Sequence, residues 1–270
     1  MVELFERDER TQMRQSSKGN QLKWENNGVW YKADYTGYEG LSEYLISNLL
    51  YRSTLRDAEF VRYEPEQIRY RKKIYQGVKS NNFLHGDWQL VTLERLFKQM
   101  YNKSLTETIW KIGEISARLE YLVEQVERIT GLHEFGKYMN KLLTMDAFFL
   151  NEDRHMHNIA VLMNGEGMFD YCPIFDNGAG LLADTSFDYP LDVEVYSLIK
   201  EVRAKTVSSD FDTALDASEQ LYGKQLKFFF HKKDVERLLK SVEGYGSDIC
   251  SRVQTILFYQ MDKYAYLFEN

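Results

Sequence analysis

Residues 150–159 read LNEDRHMHNI, a run that holds an acidic pair, an arginine, two histidines and two asparagines. The apolar run AFF stands directly before it at 147–149, and the apolar run IAVLM overlaps its last residue and continues to 163. Dense polar chemistry between two segments that look buried is typical of a solvated loop or of a functional site. The residues further along the chain distinguish these two possibilities.

The segments IAVLM, NGEG and MFDYCPIF predict a hairpin around an Asn-Gly turn, and this hairpin leads to IFDNGAG. Asp153, Asn158 and Asp176 then follow the order that phosphoryl transfer from ATP requires. One carboxylate accepts the proton of the attacking hydroxyl, while an amide oxygen and a second carboxylate hold Mg²⁺, which prefers hard oxygen ligands. We expect Asp153 to be the base and Asn158 and Asp176 to bind the metal. Gly178 is expected to let the chain turn sharply after the metal ligand.

The motif DRHMHN followed by IFDNG resembles the catalytic and metal loops of the HipA-like kinases, an offshoot of the protein-kinase-like fold. The DRHxxN form is also similar to that of the phosphoinositide lipid kinases. Ordinary protein kinases carry His and Arg before the Asp, whereas Arg154 and His155 follow Asp153 here. The resemblance implies ATP and Mg²⁺ as cofactors. We place His155 beside Asp153 in the catalytic loop, where it is expected to brace the loop by hydrogen bonding.

Upstream, VWYKAD puts Lys32 in an apolar strand, and LSEYLISNLL puts Glu43 on the same helix face as Ile46 and Leu50. The resemblance implies an ion pair between Lys32 and Glu43 that holds the ammonium against the α- and β-phosphates. Each residue alone also fits a plainer interpretation, as an edge-strand lysine and a solvent-facing acid. Glu39 lies one turn away and is an alternative partner for the lysine.

The segment LVTLERLF resembles the kinase hinge, so that backbone groups of Leu93, Glu94 and Arg95 are expected to contact adenine. The resemblance covers about residues 15–185. HipA toxins carry an additional domain ahead of the kinase core, and this chain begins almost at the phosphate loop, so the resemblance implies a minimal core. It leaves open any toxin–antitoxin role.

QSSKGNQLKW precedes the lysine strand and is the candidate phosphate loop, with Ser16, Ser17 and Gly19 as its nucleotide-binding residues. The family's own loop is short and contains serine. We hypothesise that Ser16 or Ser17 is autophosphorylated, which would expel the loop and disable the enzyme. An intact mass that gains no phosphate after incubation with ATP would contradict this hypothesis.

The hydrophobic pattern predicts a small β-rich lobe at 1–97 and a larger helical lobe at 98–270, hence an α+β, two-lobed protein-kinase-like fold. In the first lobe NNG predicts a hairpin between LKW and VWYKA, and Thr36 with Glu39 predicts a helix to about Tyr51. Further strands are predicted at 58–63 and 88–97. In the second lobe, helices are predicted at 104–130, 135–150, 211–222, 232–242 and 247–268.

The chain of 270 residues has a formal net charge of −7, so nucleic acid is not expected as its main partner. Local basic runs such as RYRKK at 69–73 are short and fit a solvated face. No apolar run is long enough to span a bilayer, the N-terminus does not resemble a signal peptide, and Cys172 and Cys250 form no CxxC motif. We therefore expect a cytoplasmic protein without membrane insertion.

These features favour an ATP- and Mg²⁺-dependent serine/threonine protein kinase, with a protein hydroxyl as acceptor and a possible regulatory partner protein. Three alternatives remain. A lipid or small-molecule kinase fits the DRHxxN form, and a nucleotide-binding pseudokinase would keep the fold without the chemistry. A di-metal hydrolase would use Asp153, His155 and His157, but motifs of that kind place the acid after the histidines.

Overall fold

The computed structural model describes residues 1–10 and 21–268. A strand-rich N-terminal part is followed by a mostly helical remainder, which confirms the predicted two-part α+β architecture. The candidate phosphate-loop residues Ser16, Ser17 and Gly19 lie outside the described residues, so their roles stay predictions.

The N-terminal strands form one curled sheet in the order β1-β4-β5-β3-β2. Neighbouring strands are antiparallel except for β1 and β4, which run parallel. The strands are β1 (Val2–Glu3), β2 (Lys23–Asn26), β3 (Val29–Ala33), β4 (Glu64–Tyr70) and β5 (Lys73–Asn81).

The predicted Asn-Gly hairpin is confirmed as β2 and β3. Asn27 and Gly28 form its tight turn with φ values of 51° and 78°, the left-handed conformation that this dipeptide tolerates. The register pairs Lys23 directly with Lys32 across the two strands. Because directly opposite residues project from the same face of a sheet, the two lysines are neighbours.

The hairpin of β4 and β5 was not predicted, and RYRKK turns out to contain its turn. Arg71 and Lys72 occupy the two turn positions with φ values of 47° and 66°. The strands show few apolar residues because much of their side-chain surface stays exposed. The predicted strand at 58–63 is wrong: Asp57–Glu59 is a single 3-10 turn, and the next residues make only a bridge from Phe60 to Ile174.

Helix α1 (Glu39–Leu50) packs against β4 and β5 and is buried along most of its length. Its first turn lies close to the sheet at a pair of glycines. A Cβ added at Gly40 would lie 2.9 Å from the Cα of Gly77, closer than real Cβ atoms approach other atoms. This contact holds the N-terminal end of α1 against the sheet and sets the position of Glu43 one turn later.

The predicted strand at 88–97 is half right. Strand β6 (Gln89–Thr92) is followed at once by helix α2 (Leu93–Tyr101), because the Thr92 hydroxyl accepts a hydrogen bond from the Arg95 amide and caps the helix. Strand β6 joins β7 (Ala160–Met163) and β8 (Phe169–Tyr171) in a second sheet, in the order β6-β7-β8. The predicted lobe boundary at residue 97 stays a prediction.

The single helix predicted over 104–130 is wrong, since the chain forms α3 (Leu105–Ile109) and α4 (Ile115–Thr130) with a turn between them. Gly113 lies in this turn, where its low helix propensity favours an interruption. The apolar spacing continues across the break, so the sequence pattern by itself does not reveal the interruption. Gly131 ends α4 with a φ of 75° as predicted.

The remaining predicted helices are confirmed to within a few residues, and α6 was not predicted. They are α5 (Phe135–Phe149), α6 (Val195–Glu201), α7 (Phe211–Tyr222), α8 (Lys232–Ser241) and α9 (Ser247–Lys263). Helix α5 passes through the main hydrophobic core, where Phe148 packs against Phe228 and Phe230. The polar stretch 150–159 begins where this buried helix ends, so its backbone starts from a rigid anchor.

Candidate active site

A cavity of about 710 Å³ opens between the two parts of the molecule. This volume lies within the range of nucleotide-sized ligand sites. Trp30 and Lys32 line it from the N-terminal sheet, and Asn158 and Asp176 line it from the helical part. A smaller adjoining cavity is lined by Asp153 together with the same Asn158 and Asp176. The residues of the two polar motifs thus converge on one cleft.

Lys32 joins two carboxylates at the back of this cleft. Its Nζ donates to Glu43 Oε1 at 2.5 Å and to Asp176 Oδ1 at 2.7 Å. Glu43 is almost fully buried, and its second oxygen accepts the Asn177 amide at 3.1 Å. Helix α1, strand β3 and the loop around Asp176 therefore meet at one ammonium group.

The charges of this cluster stabilise one another. Burial lowers the pKa of the Lys32 ammonium, but Asp176 and Glu43 raise it by more, and the pKa lies well above its usual value. Burial likewise raises the pKa of Asp176, while Lys23 and Lys32 outweigh burial and bring the pKa well below its usual range. Both groups are consequently charged at neutral pH, the state in which a carboxylate can hold a metal ion and an ammonium can hold a phosphate.

The sharp turn expected at Gly178 occurs instead at Asp176, whose own φ is 60°. The left-handed conformation costs a non-glycine residue energy and persists where the surrounding contacts require it. Gly178 has a different role, because a Cβ there would lie 3.3 Å from the Cβ of Glu39. The glycine lets this loop approach helix α1 closely.

Asp153 and Asn158 lie at the two ends of one tight loop. The Asn158 side-chain amide donates to the Asp153 carbonyl at 2.9 Å, and the Asn158 backbone amide donates to the His155 carbonyl at 2.8 Å. With its Nδ2 engaged in this way, the Asn158 side chain keeps Oδ1 as an acceptor. The amide oxygen and the Asp176 carboxylate are a hard-oxygen donor pair that fits Mg²⁺ completed by phosphate and water.

Arg154 is the residue of this loop whose importance the sequence interpretation missed. It is almost fully buried, and its guanidinium contacts Asp146 through Nε at 3.1 Å, the Phe175 carbonyl at 2.6 Å and Asn177 Oδ1 at 2.5 Å. These bonds tie the loop carrying Asp153 to the loop carrying Asp176. The acid at 146, in an otherwise apolar helix end, was the signal in the sequence for a buried cationic partner.

His155 lies beside Asp153, with 3.9 Å between His155 Nε2 and Asp153 Oδ1. Burial lowers the pKa of His155, which favours the neutral imidazole at neutral pH. Its Nδ1 accepts the His157 amide at 3.2 Å, so the ring proton resides on Nε2, facing Asp153. The hydrogen bond between neighbours in the loop agrees with a bracing role.

Comparison with solved structures found similar folds, among them the following two. The crystal structure of the Helicobacter pylori proinflammatory kinase CtkA matches with a TM-score of 0.65 over 97% of this chain and 95% of that chain, at 16% identity. A chain of the Shewanella oneidensis MR-1 toxin–antitoxin complex of HipA, HipB and operator DNA matches with a TM-score of 0.51 over 89% of this chain, at 11% identity.

This chain has the fold of the HipA-like kinases. It spans 59% of the length of the matched Shewanella chain and nearly all of the CtkA chain. No protein-family model and no curated protein sequence matches it. Within residues 1–10 and 21–268, no helix combines the length and the apolar character that crossing a membrane requires.

The residues of the expected hinge, Leu93, Glu94 and Arg95, form the first turn of helix α2. The Leu93 and Glu94 amides donate to the Ile159 and Met156 carbonyls, so these two donors are already engaged within the protein. The Glu94 carboxylate caps α3 by accepting two of its first amides. The Arg95 side chain does line the cleft, although its amide is used to cap α2.

The connection between β5 and β6 is better placed to be the hinge of the HipA-like fold. Asn82, Phe83 and Leu84 line the large cavity directly after the N-terminal sheet ends. Phe83 packs against Phe175, the residue before Asp176, with ring centroids 6.2 Å apart. The sequence pattern did not identify this segment. It lies between β5, which was not predicted, and the predicted strand at 88–97, of which only part is a strand.

Two further residues of the N-terminal part have roles that sequence reasoning did not assign. Lys23, opposite Lys32 in the hairpin, has its Nζ 4.0 Å from Asp176 Oδ1 and is a second cation near Asp176 in the cleft. Glu39 does not substitute for Glu43. Its carboxylate accepts the Thr36 amide and hydroxyl at 2.8 and 2.7 Å and thereby caps the start of α1.

The donor set of the site gives no support to the di-metal alternative. In the described part of the chain, no group of three or more His, Cys, Asp or Glu side chains is arranged to hold a metal ion. His155 and His157 contact each other through a backbone amide and stack edge to face, with centroids 5.6 Å apart. The bond to His155 Nδ1 and the ring contact thus connect the two histidines within the loop.

Proposed function

We propose that the protein is an ATP- and Mg²⁺-dependent kinase that transfers the γ-phosphoryl group to a serine or threonine hydroxyl of a protein. The observation that carries the proposal is the Lys32 ammonium held between Glu43 and Asp176 in a nucleotide-sized cleft. A cation held by the buried Glu43 and the half-buried Asp176 cannot swing away, so it remains directed at the phosphates. The fold of the HipA-like kinases supports the same interpretation.

Each group has one task in the transfer. The Asp153 carboxylate accepts the proton of the acceptor hydroxyl, and the freed oxygen forms a bond to the γ-phosphorus as the bond to the β,γ-bridging oxygen breaks. Lys32 and Lys23 hold the phosphates of the departing ADP. Asn158 and Asp176 would hold Mg²⁺, which when bound neutralises charge on the phosphates. Arg154 keeps the base and the metal ligands in register across the two loops.

The surface of residues 187–193, whose Tyr189 interacts with Glu152 next to Asp153, favours a protein acceptor over a phosphoinositide. Phe187, Leu191 and Val193 are exposed on the segment that follows the Asp176 loop. Asp188 and Asp192 are exposed among them, and no Lys or Arg occurs between 184 and 199. Apolar side chains interspersed with acids fit a basic protein segment, whereas like charges repel an anionic lipid headgroup.

A transfer assay with radiolabelled ATP and Mg²⁺ tests the proposal, with a basic protein and phosphoinositide vesicles offered as separate acceptors. We expect label on the basic protein, and the Asp153→Ala and Asp176→Ala variants to lose it. Asp170→Ala is the matched control, because Asp170 is an exposed acid on β8 outside the cleft. Label on the lipid alone would favour the lipid-kinase alternative.

The pseudokinase alternative gives a different result in the same samples. It requires ATP and Mg²⁺ to raise the melting temperature while no acceptor, including the protein itself, gains phosphate. Intact mass also tests Ser16 and Ser17, since Ser16→Ala and Ser17→Ala would remove an autophosphorylation that occurs on either residue. A stable complex with nucleotide and no transfer would contradict the proposed activity.

A further inference from the structure

Lys205 is a cation beside Asp153 that the mechanism above does not use. Its Nζ lies 3.6 Å from Asp153 Oδ1 and 4.0 Å from Glu152 Oε2. The side chain is 44% exposed, so its ammonium reaches these carboxylates from the solvent side. It comes from the helical part of the molecule, whereas Lys32 belongs to strand β3 of the N-terminal sheet.

The backbone at Lys205 is attached to the catalytic loop. The hydroxyl of the next residue, Thr206, donates to the Arg154 carbonyl at 2.7 Å. The Ala204 amide donates to the Ser209 carbonyl at 3.0 Å, which closes a turn around Lys205. Thr206 and Val207 are buried, so the flexible part of this segment is the lysine side chain itself. The segment thus delivers an ammonium to Asp153 from a fixed position.

The charges around the transferred group leave a place for this cation. Lys32 and Lys23 act on the nucleotide side, at Asp176. On the acceptor side stand the carboxylates of Glu152 and Asp153, which by themselves repel the γ-phosphoryl oxygens. Phosphoryl transfer depends on the positioning of cations around these oxygens, because little covalent chemistry is done by the protein. A cation on the acceptor side would remove this repulsion.

The distances also allow direct contact. An acceptor hydroxyl on Asp153 lies at about 2.6–3.2 Å from its carboxylate, and the reacting phosphorus lies about 3–3.5 Å beyond. The phosphoryl oxygens therefore come within a few ångströms of Asp153. An ammonium that already lies 3.6 Å from Asp153 reaches them by a rotation of its flexible stem.

We propose that Lys205 is a catalytic residue whose ammonium contacts the γ-phosphoryl oxygens as the group passes to the acceptor. This inference rests on the proposed kinase function. Lys205 remains protonated throughout: the acceptor proton goes to Asp153, the new O–P bond forms, and ADP departs with the electron pair of the broken bond. The ammonium offsets the charge on the transferred group and returns to Asp153 and Glu152 after release.

A purely structural ion pair gives a different expectation. The contact of 3.6 Å exceeds hydrogen-bond length, and the lysine is nearly half exposed. Such pairs contribute little to stability. Removing a structural pair would therefore leave the turnover rate and the binding of transition-state analogues close to wild type.

The test compares Lys205→Met, Lys205→Arg and the control Lys200→Met, an exposed lysine on α6 of the same segment. We expect Lys205→Met to lower kcat by about 100-fold with little change in KM for ATP, as for loss of one transition-state donor. Lys205→Arg should recover a large part of the rate, and Lys200→Met should match the wild type. Melting curves and binding of ADP with Mg²⁺ verify that each variant is folded.

The second readout is stabilisation by ADP, Mg²⁺ and aluminium fluoride, which imitates the transferred group. We expect Lys205→Met to lose the extra stabilisation due to fluoride and to keep that due to ADP. In the contrary case, the wild type transfers phosphate while Lys205→Met keeps the wild-type kcat or the wild-type stabilisation by fluoride. That result overturns the inference about Lys205 and leaves the proposed function standing. A wild type that transfers no phosphate overturns the proposed function, and this inference with it.

Discussion

Lys32 contacts two carboxylates that come from distant parts of the chain, Glu43 on α1 and Asp176 after β8. A lysine in a strand is a common feature, and its sequence neighbours do not distinguish a surface lysine from this one. Its significance depends on a fold that brings residues 43 and 176 to the same point.

Lys32→Met should lower kcat/KM by about 100-fold or more, since an essential phosphate contact is lost. It should also lower the free energy of unfolding by about 3 kcal/mol, because the buried carboxylate of Glu43 loses its cation. Urea unfolding and the transfer assay measure both effects. Lys79→Met is the control, because Lys79 pairs with Glu64 and Glu66 at the surface, where about 0–1 kcal/mol is at stake.

Asp34 gives a pH-dependent prediction. Burial raises its pKa to about 7, although the Gly40 amide and the Tyr245 hydroxyl both donate to it. A raised pKa means that the folded state binds the proton more tightly, so this stability is present below the unfolded pKa near 4 and is lost as pH rises toward 7.

We therefore expect the unfolding free energy of the wild type to fall by on the order of 2 kcal/mol between pH 5 and pH 8 because of Asp34. The Asp34→Asn variant should not show this fall. Denaturant titrations at several pH values measure this difference. Asp57→Asn, on an exposed 3-10 turn, should follow the wild type. Parallel pH curves for wild type and Asp34→Asn would contradict the prediction.

At the scale of elements, the short helix α3 depends on a carboxylate from a neighbouring helix. Glu94 on α2 accepts the Leu105 and Thr106 amides at 3.1 and 3.0 Å and the Thr106 hydroxyl at 2.8 Å. A helix of one turn cannot form by itself in water, because nucleation is unfavourable. This contact between elements is why Glu94 is buried and unavailable to a nucleotide.

Glu94→Ala should lower the free energy of unfolding by about 1–2 kcal/mol, as for the loss of a helix cap. It should leave KM for ATP unchanged, because Glu94 lies outside the cleft. Glu107→Ala is the control, since Glu107 is exposed on α3 itself. A marked rise in KM for ATP would instead support the hinge that the sequence pattern indicated.

At the scale of the whole molecule, the cleft joins the N-terminal sheet to the helical part through Lys32, Glu43 and Asp176. A nucleotide bound there contacts both parts and stabilises the folded state by mass action. Helix α1 is also held from the C-terminal side, where Tyr44 and Ser241 hydroxyls lie 3.1 Å apart and Tyr245 binds Asp34. These contacts keep Glu43 directed at Lys32.

ADP with Mg²⁺ at about 100 times its Kd should add about 2.7 kcal/mol to the free energy of unfolding. We expect Asp176→Asn to lose the part of this gain that depends on Mg²⁺, and EDTA to have the same effect on the wild type. Thermal melts with and without the metal measure it. Equal stabilisation by ADP with and without Mg²⁺ would contradict a role for Asp176 in metal binding.

Local sequence determined those features whose energies are local. The Asn-Gly dipeptides at 27–28 and 164–165 are turn formers, so the β2–β3 and β7–β8 hairpins were predictable, and the amphipathic period predicted α5, α7, α8 and α9. The spacing of Asp153, Asn158 and Asp176 pointed to the cleft because these residues lie on short, tightly bonded loops. The break between α3 and α4 was missed, since the apolar spacing runs through it unchanged.

Tertiary structure alone decided the partners. Arg154 reaches Asp146, Phe175 and Asn177, and Lys205 reaches Asp153, through contacts that no spacing in the sequence encodes. The structure of residues 88–97 likewise depends on β7. Residues 89–92 pair with β7 as strand β6, and residues 93–97 belong to helix α2. Such contacts join residues far apart in the chain, so their energies exist only once packing has brought them together.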